Sequence, residues 1–171
     1  RWIERAIPEQ LHVQLRGPGR TILLLPGDDV SGQRHQAVAS GASRLVSGWF
    51  VVDDEGRLTV EAAVEFPAAP RQMRPLRATG TTRDLIGVTA AVARALDPAA
   101  RPFTTDSTAA LEQYCRGLLE RNPQERRFRL QKAMELDPGF GLPYVAALQI
   151  ASAAGDRAWA DGVLEGARSL A

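Results

Sequence analysis

Leu130, Ala133 and Leu136 recur as Leu164, Ala167 and Leu170, each 34 residues further along. A period of that length holds two helices and their turns. One such unit cannot bury its apolar face alone, so the back half is expected to stack helical hairpins. Breakers divide it accordingly. Asp106-Ser107 caps a first helix reaching about Arg121, and Asn122-Pro123 stops it. Gln124–Leu136 follows, ended by Asp137-Pro138-Gly139, then Leu142–Ala154, the turn Gly155-Asp156, and Trp159–Leu170. Small Ala residues let neighbouring helices approach, and Leu at the interleaved positions fills the gap.

The front half alternates between patterns. Trp2, Ile3, Ala6, Ile7, Leu11 and Leu15 fall at helical spacing, with Pro8 inside the run. Thr21–Leu25 is a short apolar run that suits a strand buried on both faces. Gln33–Leu45 is Ala-rich and reads as a helix. Leu45–Val52 and Arg57–Phe66 flank the turn Asp53-Asp54-Glu55-Gly56 and form a β-hairpin. Its inner face carries Leu58, Val60, Ala62, Val64 and Phe66. Thr59, Glu61, Ala63 and Glu65 face water. Arg74–Gly80 reads as a third strand, and Thr82-Arg83-Asp84 caps a helix ending near Leu96. Asp97–Thr105, with two prolines and little periodicity, is the expected domain boundary.

Composition narrows the function classes. In 171 residues, 21 basic side chains balance 20 acidic ones, so no basic stripe for nucleic acid is evident. One cysteine, Cys115, excludes an internal disulfide and a Cys-based metal cluster. No apolar run approaches membrane-spanning length. The chain opens inside a helical pattern without an initiating Met, and is expected to be a segment of a longer protein.

No catalytic constellation is visible, so no catalytic, cofactor or metal residue is assigned. His12 and His35 lack Cys or Glu at metal-ligand spacing and read as ordinary surface or half-buried histidines. Cys115 has no histidine near it in sequence and reads as a helix-packing residue. The stretch LPGDDVSGQ at 25–33 lacks the phosphate-loop pattern and places two carboxylates where a phosphate would sit. Arg126-Arg127-x-Arg129 with Phe128 reads as the wet face of a helix.

The stretch QKAMELDPGFGLPY, at 131–144, carries a family resemblance. With Pro138 closing one unit, the next places Tyr144, Ala147-Leu148, Ala160, Leu164 and Ala167 at the signature positions of the tetratricopeptide repeat family, which this half resembles. Tyr114 and Gly117 resemble the first-helix signature of the earlier unit, which is about three residues short. The resemblance implies a groove lined by the first helix of each unit that takes an extended peptide or a partner helix. Carried onto this chain, the partner-binding candidates are Tyr114, Arg121 and Asn122 in the first unit, and Val145, Gln149 and Ser152 in the second.

The front half is similar to the TolB amino-terminal-like domain of multi-domain bacterial regulators. The similarity rests on AIPEQL at 6–11, GASRLVSG at 41–48 and the Asp-Leu … Val-Ala-Arg-Ala-Leu helix at 84–96. It implies a further strand before Arg1. The expected architecture is a small α/β (α+β) domain with a hairpin-containing sheet at 1–98, then an all-α repeat at 104–171. The expected function is non-catalytic protein–protein interaction within a larger bacterial regulatory or envelope protein. The resemblance favours an extracytoplasmic setting, and exposed repeat ends and the absent strand would permit a homodimer. The alternative is a small-ligand sensor with a pocket near Pro26–Ser31, where Asp28 and Asp29 would take part.

Overall fold

The computed structural model describes residues 1–18, 21–24, 30–66 and 73–168. The protein is mixed α/β, with a three-stranded antiparallel sheet and a helical part. It divides into two compact units, one of Pro8–Phe103 and the other of Thr104–Ala171 together with Arg1–Ile7.

Helix α1 (Trp2–Gln14) runs through Pro8, from which residue it belongs to the sheet-containing unit, and there α2 (Val30–Ala39) precedes the sheet. Strands β1 (Leu45–Val52), β2 (Arg57–Glu65) and β3 (Met73–Thr81) form a meander in the order β1-β2-β3. The hairpin register pairs Val52 with Leu58 and Leu45 with Glu65. The turn holds because the Asp53 carboxylate accepts the Glu55 and Arg57 amides at 3.1 and 2.8 Å.

Alternation places Leu58, Val60 and Val64 on one face, all buried. Helix α3 (Leu85–Leu96) covers that face, burying Leu85, Val88, Val92 and Ala93 against β2 and β3. The approach is close at Gly80, where an added Cβ would lie 2.4 Å from Val88 Cγ2. A 3₁₀ turn at Thr82–Asp84 leads into α3, but the Asp84 side chain makes no capping hydrogen bond.

Three expectations change here. Residues 21–24 lie in no strand, and Leu23 is 57% exposed. Local β-preference cannot hold a strand that pairs with no neighbour, and none pairs with it among the described residues. Glu65 is only 4% exposed rather than on a wet face. Arg34 of α2 reaches it, with Nε 3.1 Å from Glu65 Oε2, so the buried carboxylate has its counter-charge. On α1 the buried positions are Ala6, Gln10 and Gln14, one helical stripe, rather than the leucines at 11 and 15. Gln10 Nε2 donates to Thr89 Oγ1 at 3.3 Å, so a polar contact sits where the apolar count pointed elsewhere.

The second unit carries four helices: α4 (Thr108–Leu119), α5 (Pro123–Leu136), α6 (Gly141–Ala154) and α7 (Arg157–Arg168). Each packs on the next, and α4 also meets α6.

Candidate partner-binding face

The four helices are fixed by their ends. Ser107 Oγ accepts the Ala110 amide at 3.1 Å and starts α4. Arg126 Nε donates to the Glu120 carbonyl at 2.8 Å, which satisfies an orphan acceptor at the end of α4. Asn122 Oδ1 accepts the Gln124 and Glu125 amides at 2.9 and 3.3 Å and starts α5, with Pro123 in its first turn.

Asp137 joins the two hairpins. Its Oδ1 accepts the Gly139 amide at 3.0 Å, and its other oxygen accepts the Thr105 hydroxyl. The chain then turns so that Phe140, 0% exposed, meets Tyr114 edge to face with centroids 5.4 Å apart. Gly155 ends α6 at φ +69°, the left-handed conformation that a side chain disfavours. Asp156 follows. Its Oδ1 accepts the Trp159 amide at 3.0 Å, and its Oδ2 lies 3.3 Å from Arg127, whose guanidinium stacks over the Trp159 ring.

Burial in this unit follows a spacing of 33, one residue shorter than the sequence match. Ala110 and Pro143, Leu111 and Tyr144, Tyr114 and Ala147, and Leu130 and Val163 are all buried, each pair 33 apart. Leu164, the sequence counterpart of buried Leu130, is 39% exposed. Helix α7 turns Trp159 and Val163 inward, and no helix among the described residues covers the side that Leu164 faces.

This register sorts the six candidates. Val145 is 51% exposed, and Gln149 and Ser152 are exposed with it. Spaced by four and three, they form one continuous row on α6. Tyr114 belongs to the core beside Phe140, so its ring is not available to a partner. Arg121 and Asn122 lie beyond the end of α4, both exposed, and the Asn122 side chain is engaged as a cap. Their amides donate to Glu120 Oε1 at 2.8 and 3.0 Å, the Arg121 bond being the shorter. These bonds, that from Asn122 first, hold the Glu120 carboxyl below its usual range.

The α4 positions in register with the α6 row are Glu112, Arg116 and Leu119. Arg116 pairs with Glu112 at 2.7 Å, and Leu119 is 48% exposed. Sequence reasoning missed them because it set Tyr114 against Tyr144, 30 residues apart, three short of the spacing the helices adopt. The 33-residue spacing between the starts Thr108 and Gly141 would have found them. Phe140 was missed for a different reason. As an aromatic directly after Asp-Pro-Gly it resembles a turn residue, and only packing reveals it as core.

In the sheet-containing unit a cleft of about 290 Å³ opens beside the end of β2 and the last turn of α3. Phe66, Val64 and Leu96 form its apolar wall, and Arg44, Arg74 and Asp97 supply charge. Pro26–Asp29, which hold most of the anticipated pocket with Asp28 and Asp29, lie outside the described residues. Cys115 is buried. Among the described residues no group of three His, Cys, Asp or Glu side chains is placed to hold a metal, and no helix is long and apolar enough to cross a membrane.

Set against protein-family models, curated proteins and solved structures, the chain matches none of them.

Proposed function

We propose that the chain is a non-catalytic interaction module, in which a TolB-like α/β domain precedes a pair of tetratricopeptide-like hairpins that dock a peptide or partner helix. The observation that supports it best is the exposed row Val145, Gln149 and Ser152 on α6, with Glu112, Arg116 and Leu119 in the same register on α4. Rows of this kind on successive first helices present alternating polar and apolar contacts, which is what an extended segment needs for affinity and register. The partner is a protein or peptide, not nucleic acid. The setting is a larger bacterial regulatory or envelope protein, extracytoplasmic.

The cleft near Arg44 and Arg74 supports a second reading, in which the α/β domain senses a small anion with an apolar body. Thermal unfolding separates the two. A ligand that binds only the folded state raises the midpoint by mass action. Peptide pools are expected to raise it in the parent chain and not in Val145→Asp. A shift produced only by small carboxylates, and abolished by Arg74→Ala, would replace the docking reading with the sensor.

A further inference from the structure

The two edges of the sheet are built differently. Strand β3, on one edge, carries Arg74, Pro75 and Arg77, the charges and proline that discourage another strand from pairing. Strand β1, on the other, reads LVSGWFVV, eight residues without a charge or a proline. Near-continuous apolar sequence of this kind suits a strand covered on both faces, and it lacks the charge or proline that guards a natural edge. Yet among the described residues β1 pairs only with β2, and on it Val46, Trp49, Val51 and Val52 are exposed, Trp49 at 57%. Both faces contribute. Val46 and Val52 share the face of Leu58 and Val60, while Trp49 and Val51 lie on the opposite face.

We propose that β1 pairs with β1 of a second copy of this chain, antiparallel about a two-fold axis at Trp49, giving a continuous six-stranded sheet. A two-fold axis normal to the sheet keeps like faces together, so each residue must meet one of its own face. Placing Trp49 opposite Trp49 of the second copy satisfies this along the whole strand. Val46 meets Val52, and Gly48 leaves room for Phe50. Beyond the strand ends, the same register brings Arg44 of each copy beside the hairpin turn of the other, where Asp54 lies. Neither Arg44 nor Asp54 makes a hydrogen bond or ion pair within its own chain among the described residues. An uncharged centre flanked by opposite charges fits a second copy, and a partner strand of unrelated sequence would not meet that charge order.

Sedimentation equilibrium and hydrogen exchange on the full chain test this. The expected mass is that of two chains, with the amides of Val46, Gly48, Phe50 and Val52, which face away from β2, gaining protection as concentration rises. Trp49→Lys is expected to give one chain. Arg44→Asp and Asp54→Arg are each expected to weaken the dimer, and the double exchange to restore it, a result that loss of folding cannot mimic. A single-chain mass at high concentration overturns the proposal, and so does a dimer indifferent to both sets of variants. Concentration-independent protection of those four amides also overturns it, because the edge would then be covered by its own chain. Peptide docking on α6 would be untouched by any of these results.

Discussion

Phe140, just before α6, ties the second helical hairpin to α4 through Tyr114. Its ring is fully buried and meets Tyr114 edge to face, while the backbone turn around it depends on Asp137. Phe140→Ala removes a core aromatic, and the cavity left behind is expected to cost about 3–5 kcal/mol in chemical denaturation. His12 makes a different prediction. Burial, reinforced by Arg16 and opposed by Glu9, lowers its pKa, and its Nδ1 is buried with no protein partner. The unfolded chain therefore binds the proton more readily than the folded one. Stability is at its full value above the ordinary histidine pKa of 6.5 and falls as pH drops below it through the folded value. His12→Gln is expected to flatten that slope in a pH series of unfolding midpoints. A slope unchanged by the substitution would assign the acid sensitivity to other groups.

At the scale of elements, the ends of the later helices were legible and helix faces were less so, while α2 runs Val30–Ala39 where Gln33–Leu45 was expected. Ser107, Asn122-Pro123, Asp137-Pro138 and Gly155 carry local chemistry that acts within a few residues, so the limits of α4 to α7 can be read without knowing what they pack against. The β-hairpin was legible for the same reason, through Asp53 and strict alternation in β2. Which side a helix buries depends on distant partners. Gln10 is buried because Thr89 meets it from α3, a contact 79 residues away that periodicity cannot see. Residues 21–24 had strand-like composition but no paired edge, and β1 gave no sign in sequence that one side would stay open. Of the candidate site, the α6 row came from the repeat resemblance, whereas the α4 row was displaced because Tyr114 was matched with Tyr144, 30 residues on, rather than at the spacing of 33 that the helices adopt. Two substitutions probe this scale. Asn122→Ala removes the cap of α5 and is expected to cost about 1 kcal/mol in urea unfolding. Gly80→Val would drive a side chain into Val88 and force β3 away from α3, so a cost of about 1–3 kcal/mol is expected.

For the whole molecule, a sheet-containing unit and a helical unit each bury their own core and leave different surfaces open. The helical unit exposes a regular row on α6, the sheet-containing unit an unprotected strand edge and a small charged cleft. Partner docking is proposed for the first of these. The most direct measurement selects peptides from a random library on the full chain. It then compares their affinity for the parent, for Val145→Asp with Gln149→Ala, and for Arg74→Ala. The α6 double variant is expected to lose at least about tenfold in affinity, equivalent to about 1.4 kcal/mol, while Arg74→Ala binds as the parent does. Peptides that bind the α6 double variant undiminished, or that lose affinity with Arg74→Ala, would contradict this proposal.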